Sequence, residues 1–506
     1  MPINIKIINK LVTFGLLLFI GTGCKDFLAE QNKSAITQEN YFTNATQAQA
    51  AVNGIYPNLY TLHTSTGNNY GEAVWVSMEM IVGHATTLGQ SLYNNGLIKH
   101  ENSTIEPIFK VMWNGFYKGT ASANLCINNI PSMTMAETTK NALLGEAYFL
   151  RALYYYYLVR LYGNIPLITE TINYSSTNLY PERSSVEEVY TLIVSDLLNA
   201  EKSGLPNVDK TGKVSIGAVK SLLASVYLTM AGYPLNKGIE YYKLAAEKSK
   251  EVLDNKWYSL FTSYDYLHDR AHKNLTEFIF QVQYLNGVQN NNITEFVTPD
   301  KIGISKLSGE VGAIVPRNEF VESYEPNDKR AKENQFFFSK YPAKNKPTTN
   351  IVFGEFALYK FWLVEAAGIN GDANSDENWT LLRLPEVMLI YAEASNEVNG
   401  PTSAAYDQVN LIRNRAELTP LSGLTKNDFR NAIWRERYHE LCFENKAYFD
   451  IQRTHKVYNL ANGNFEDAFT YINESGAKFN EQYMLWPIPQ SEVDANPKLL
   501  PQNSGW

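Results

Sequence analysis

The stretch NALLGEAYFLRALYYYYLVRLYGNIPLITE, residues 141–170, decides how the rest of the chain is read. Leu143, Ala147, Leu150, Tyr154, Leu158 and Leu161 recur at steps of three and four, which puts them on one face of an α-helix, and Gly163 followed by Pro166 ends it. The run Tyr154 to Tyr157 places phenols on the remaining flanks, so neighbouring helices must surround this one and supply partners for the hydroxyls.

Outward from that stretch the same periodicity predicts helices over 44–59, 108–127, 186–200, 217–230, 238–253, 384–398, 403–416 and 426–444. Ala48, Ala51, Val52 and Ile55 line the first; Leu384, Val387, Tyr391 and Ala394 line the sixth; Trp434, Tyr438 and Leu441 point inward from the last. Ala224 and Tyr227, facing Ala245 and Ala246, sit where tetratricopeptide repeats place small residues so that paired helices approach closely. Two regions break the pattern. Residues 60–105 are rich in Gly, Asn, Ser and Thr and are expected to be loops, and 257–380 mixes β-leaning runs such as 277–282 with Asn- and Gly-rich connections. The expected fold is mainly α, a tetratricopeptide-like superstructure of helix pairs with an irregular, loop-rich insertion carrying short strands.

At 506 residues and 44% hydrophobic the chain can build a large core, and helical superstructures of this length run as one unit. Its 44 Lys and Arg against 52 Asp and Glu, with no basic run, argue against nucleic acid as a partner. Tyrosine, at 33, outnumbers phenylalanine at 24, a balance suited to surfaces that stack on polar ligands while hydrogen-bonding them.

Lys6 and Lys10 precede an apolar run, 11–20, that is too short to span a bilayer, for which about 20 residues are needed. Residues 1–23 are therefore expected to be a signal peptide. Gly21-Thr22-Gly23-Cys24 resembles a lipoprotein box, which would make Cys24 the lipidated residue and 24–38 a polar tether. Loss of the leader removes Lys6 and Lys10 and takes the net charge from -8 to -10, so acyl chains on Cys24, palmitate among them, and not a basic patch, would hold the chain to a membrane. Cys126 and Cys442 lie in apolar helical surroundings and are expected to be buried free thiols.

Several ordered segments resemble one family. Glu146-Ala147, Phe149 to Ala152 and Leu158 to Leu167 resemble the hallmark of the SusD/RagB family, cell-surface nutrient-binding lipoproteins of Bacteroidetes. Asn53 to Tyr56, Arg383 to Ala394, Val409 to Arg413, Arg437 to Glu444 and Phe449 to Arg453 look like its further motifs, and Leu485 to Glu492, Asn496-Pro497, Gln502-Asn503 and Gly505 like its terminal signature. The resemblance implies one domain over 39–506, built from N-terminal helical repeats (39–256), the insertion (257–380) and C-terminal helices (381–506). It implies a lipid-anchored protein on the outer-membrane surface. It also implies a SusC-like TonB-dependent transporter as partner and an oligosaccharide, or for some relatives a peptide, as ligand.

Catalytic patterns are weak. Glu436, Glu440 and Glu444 recur every fourth residue and would repel one another without cations opposite, for which Arg413, Arg415, Arg437 and Arg453 are the expected partners. An ion network clamping helices fits better than a glycosidase pair, which needs two carboxyls facing each other across a sugar at roughly 5 to 10 Å. His439-Glu440 begins like the zinc motif H-E-x-x-H but has Phe443 in place of the second histidine. No metal, no cofactor and no enzymatic activity are expected. A protein-binding scaffold and a surface glycoside hydrolase are the alternatives.

A sugar exposes C–H patches on its faces and hydroxyls on its rim, so a glycan site calls for flat aromatic rings flanked by polar side chains. The loop-borne candidates are Asn68, Asn69, Tyr70 and Trp75 in the first loop region and Tyr284, Asn290, Phe296, Tyr359 and Trp362 in the insertion, with Asn291 on the rim. Trp113, Trp379, Trp434 and Trp486 are expected to be structural.

Overall fold

The computed structural model of the chain describes residues 41–63, 73–87, 92–171, 178–285, 287–300, 302–305, 309–362, 375–473 and 475–506. Sixteen α-helices run through them: α1 (Ala45–Asn53), α2 (Val74–Met80), α3 (Leu92–Lys99), α4 (Pro107–Asn129), α5 (Glu137–Tyr162), α6 (Val186–Glu201), α7 (Ile216–Ala231), α8 (Ile239–Asp254), α9 (Ile293–Val297), α10 (Asn318–Glu322), α11 (Leu384–Asn399), α12 (Ser403–Arg415), α13 (Lys426–Glu440), α14 (Ala447–Thr454), α15 (Glu481–Met484) and α16 (Gln490–Ala495). The expectation of a mainly α chain with a strand-bearing insertion is met. Residues Asn44–Trp506 form one compact unit.

Helices α4 to α8 pack in series, each on the next. Helix α11 continues the row from α8 and packs in turn against α12 and α13. Local signals start these helices where periodicity places them. Ser185 and Glu188 make a reciprocal capping box on α6, while Ser215, Thr402 and Thr425 cap α7, α12 and α13, each satisfying a backbone N–H that the first turn leaves unpaired. Between α7 and α8, Ala224 and Ala245 are fully buried, as close helix approach requires.

Helix α5 is the second in this row. From Leu143 to Tyr162 almost every side chain is buried, on all sides of the helix. The phenols find acceptors on the surrounding elements: Tyr154 Oη donates to Ile55 O (2.7 Å), Tyr155 to Ile168 O (2.6 Å), Tyr156 to Ser225 O (3.1 Å) and Tyr162 to Phe109 O (2.5 Å). Tyr157 instead packs its ring on Phe116 and Phe449. The last turn would leave carbonyls unpaired, and the C-terminal segment supplies the donors. Gln452 Nε2 donates to Arg160 O (2.9 Å), the Trp486 amide to Leu161 O (2.6 Å) and Asn503 Nδ2 to Tyr162 O (2.9 Å). The C-terminal segment therefore closes on the end of α5.

The described strands form four antiparallel pairs. The short β1 (Ala85–Thr86) pairs with β3 (Val315–Pro316), and β2 (Phe278–Val282) with β6 (Trp379–Arg383). The hairpin β4 (Phe337–Ala343) with β5 (Lys346–Leu358), and β7 (Lys456–Tyr458) with β8 (Phe465–Asp467), complete them. The β2–β6 pair brackets the insertion and returns the chain directly into α11, where the Leu384 amide donates to Glu277 O (3.0 Å).

Four expectations need correction. The region 60–105 holds α2 and α3 as well as loops; all seven residues of α2 are buried, so the segment has no polar face and shows no amphipathic period. The first helix ends at Asn53 and passes into a 3-10 turn, Tyr56–His63. Helix α13 ends at Glu440, short of Glu444, and its buried face carries Ile433, Glu436, Arg437 and Glu440, with Trp434 and Tyr438 only half-buried. Tyr391 on α11 is also half-buried. Cys126 and Cys442 are buried free thiols, as expected.

Candidate functional site

The aromatic side chains singled out in the sequence fall into two clusters. In the first, Trp75 of α2 is fully enclosed by His63, Trp379 and Phe361, with ring centroids 6.2, 5.3 and 6.3 Å away. Tyr284, just after β2, lies with its Oη 2.7 Å from His63 Nδ1, and the ring of Tyr60 is 5.2 Å beyond it. Phe361 stacks on Trp379 at 5.5 Å and 23°. Burial pushes the His63 imidazole down to about 3, so it is neutral at physiological pH, and raises the Tyr284 phenol well above its ordinary value. In the second cluster Trp362 is buried against Phe338 and Tyr341, and half-buried Tyr359 meets Phe338 and His268.

These placements differ from a set of loop-tip platforms. Trp75, Tyr284, Phe296 and Trp362 are 0, 4, 2 and 1% exposed, so each ring is spent on packing. The physical reason is common to all: an indole or phenyl ring gains more from burial in an aromatic cluster than from a place in water. Asn290 is half-buried, and its Oδ1 is buried without a hydrogen-bond partner among the described residues. Cys24, Asn68, Asn69 and Tyr70 lie outside the described residues.

What the first cluster presents outward is a set of side chains that sequence reasoning passed over. Tyr60 and Phe361 are half-buried, and Leu285 and Val288 are 60 and 76% exposed. Phe361 stands beside Trp362, and Tyr60 lies within a helix-like turn, so neither carried a loop signature of its own. The chain from Tyr284 to Asn291 is fastened to the segment before β6: the Tyr284 amide donates to Asn378 Oδ1 (2.8 Å), and Asn291 and Ser375 exchange backbone hydrogen bonds of 2.8 and 2.7 Å. Asn291 Nδ2 donates to Glu377 O (2.6 Å), which makes Asn291 part of the fastening and not of a polar rim. Arg270 pairs with Asp376 behind this seam. Burial drives the Glu377 carboxyl up to about 8 and that of Glu295, on α9, up to about 7.

The carboxylates Glu436, Glu440 and Glu444 are all buried and tied to cations. Glu440 is held between Arg383 (2.7 Å), Arg415 (2.6 Å) and Arg330 (3.1 Å); Glu436 meets Arg330 (2.6 Å) and Arg413 (3.4 Å); Glu444 meets Arg383 (2.8 Å) and Lys360 (2.5 Å). Glu277 joins from the insertion, paired to Arg383 and Arg415. The three guanidiniums offset burial at Glu440 and hold its carboxyl well below the usual range. Arg413 and Arg415 are partners as expected. Arg437 and Arg453 pair instead with Glu386, Asp450 and Glu393, while Arg330, Arg383 and Lys360 come from segments distant in sequence. The cluster nails the insertion to α12, α13 and the turn after it.

Comparison with known proteins places the chain in context. Residues 329–506 match the family model described as the SusD family, and 26–228 match one described as "starch-binding associating with outer membrane". The chain is 36% identical to a SusD superfamily protein of Parabacteroides distasonis in its crystal structure, with a TM-score of 0.87 over 93% of this chain and 100% of that one. It is 27% identical to SusD-like protein P2 of Formosa agariphila across 98% of this chain and 99% of the relative. The surface glycan-binding protein A of Bacteroides fluxus shares the fold at 20% identity, with a TM-score of 0.76 over 92% of this chain and 100% of that one.

Proposed function

The chain belongs to the SusD superfamily, and on that premise we propose that it is a cell-surface glycan-binding lipoprotein of the outer membrane. It captures an oligosaccharide and passes it to a SusC-like TonB-dependent transporter. The observation that carries this reading is the match of the N-terminal helical half to the family model described as starch-binding and outer-membrane-associated. The half-exposed rings of Tyr60 and Phe361 on the first aromatic cluster support it, because such rings suit the C–H faces of a sugar. Residues 1–23 act as the leader and Cys24 carries the lipid, with 24–38 as the tether.

The protein binds without cleaving. Glu436, Glu440 and Glu444 are each committed to buried cations, which leaves them unable to flank a glycosidic bond as an acid and a base. Calorimetric titration of the full chain with maltooligosaccharides and β-glucan oligosaccharides, with chromatography of the sugar afterwards, tests the reading. Saturable binding with intact sugar is the expected result. Released shorter sugars would make the protein a hydrolase. Absence of binding to every glycan, with retention of a protein partner by the helical row, would make it a scaffold.

A further inference from the structure

A cavity of about 290 Å³ opens between the end of α5, the start of α6 and the α7–α8 turn. Its charge is at odds with the chain that surrounds it. The protein carries a net charge of -8, yet the cavity wall holds Arg160, Arg183 and Arg453 and, among the described residues, no carboxylate. Arg453 is neutralised by Glu393 and Asp450 from behind. Arg160 and Arg183 form no ion pair among the described residues.

The two unpaired arginines differ in what they can offer. Arg183 spends its donors on the carbonyls of Asn164, Leu499 and Pro501 and on Asn503 Oδ1, so it pins the C-terminal segment and lends the cavity only its charge. Arg160 donates from Nε to Tyr156 O (2.9 Å), and its terminal nitrogens have no acceptor among the described residues. Its guanidinium carbon lies 3.6 Å from the ring centre of Tyr156 and 3.6 Å from that of Phe449, so two rings hold the fork in place and partly offset its desolvation. A guanidinium fixed in this way presents two parallel N–H donors, the geometry that a carboxylate accepts.

Two further features shape the ligand. Tyr190 is 2% exposed and lines the cavity, and its hydroxyl makes no hydrogen bond among the described residues. At the mouth Tyr233 is 42% exposed and stacks on His455 at 3.7 Å and 10°, a flat wall against which a small ring can lie. The volume is just below the range of roughly 300 to 1,000 Å³ that drug-sized ligands occupy. We propose that this cavity is a second binding site, for a carboxylate-bearing ligand of monosaccharide size, with Arg160 as the fork that grips the carboxylate and Tyr190 as a further hydrogen-bonding group. The site is independent of whatever the aromatic edge near Tyr284 binds.

Calorimetric titration of the full chain at constant ionic strength, using glucuronate, glucose, sulfate and inorganic phosphate as probes, decides it. Glucuronate should bind and glucose should not bind at this cavity. Arg160→Gln should weaken glucuronate by about tenfold or more, and Arg160→Lys, which keeps charge but loses the fork, by less. Tyr190→Phe should weaken it by about threefold without changing the melting temperature, which keeps the idea testable if Arg160→Gln folds poorly. Tyr60→Ala, on the other edge, should leave it unchanged. Glucuronate binding that is absent, or unaltered in both Arg160→Gln and Tyr190→Phe, overturns the proposal, and sulfate or phosphate binding as tightly as glucuronate overturns the carboxylate assignment.

Discussion

Tyr284 Oη lies 2.7 Å from His63 Nδ1, and this one contact joins the loop after β2 to the 3-10 turn ahead of α2. His63 Nε2 has no partner among the described residues, so the bond to Tyr284 is what satisfies the buried imidazole there. Tyr284→Phe keeps the ring and removes the bond. It should lower stability by about 1 to 3 kcal/mol, the cost of stranding a buried polar group, as measured by urea denaturation.

Trp75 and the pair Tyr60 and Phe361 should respond in opposite ways. Trp75 is fully buried, and Trp75→Ala should cost about 3 to 5 kcal/mol by opening a cavity, so any loss of binding in that variant reports unfolding. Tyr60→Ala and Phe361→Ala remove half-exposed rings and should weaken oligosaccharide binding with a much smaller loss of stability. Paired calorimetry and thermal melts on the three variants separate the effects.

Gly145 tests the packing around α5. A Cβ there would lie 2.0 Å from Ser203 Oγ and 2.6 Å from Ser203 Cβ. Alanine in place of a mid-helix glycine gains about 1 kcal/mol in helix propensity, but forcing α5 off its neighbours costs about 1 to 3 kcal/mol. Gly145→Ala should therefore be destabilising in a denaturant titration, where an exposed helical site would be stabilised.

Arg383 holds Glu277, Glu440 and Glu444 together. Arg383→Met should cost about 3 to 5 kcal/mol or prevent folding, because it leaves buried carboxylates short of a cation. The same network sets an acid limit. Glu440 is held below its ordinary pKa, so its contribution is present above that ordinary value and is lost as pH falls. Denaturation midpoints should drop steeply on the acid side.

Glu295 has the opposite sign. Burial raises its carboxyl to about 7, so the folded chain keeps a proton that the unfolded chain gives up near pH 4.5. Its contribution is complete below about pH 4.5 and declines as pH rises through about 7, by up to about 3 kcal/mol. Glu295→Gln should flatten that decline when denaturation midpoints are compared between about pH 5 and about pH 8.

The helical row was legible because its residues repeat at helical spacing and because four of its helices, α6, α7, α12 and α13, begin at a Ser or Thr that caps them. Local chemistry decides both. The same reading missed α2, since a helix buried on every side, as in Val74 to Met80, leaves no polar stripe to mark its period. It placed Glu436, Glu440 and Glu444 in an ion network and found Arg413 and Arg415, but not Arg330, Arg383 or Lys360, which reach them from 57 to 110 residues away. Partners at that separation leave no pattern in the chain.

The sequence by itself determined the helix stack, the family and the commitment of the carboxylates to cations, because periodicity, capping and charge balance act between near neighbours. Only the tertiary structure decided which aromatic rings are spent on packing. Trp75 and Tyr284 looked like platforms until the fold closed His63 and Trp379 around them, and burial is a property of the whole assembly of elements, not of any one segment.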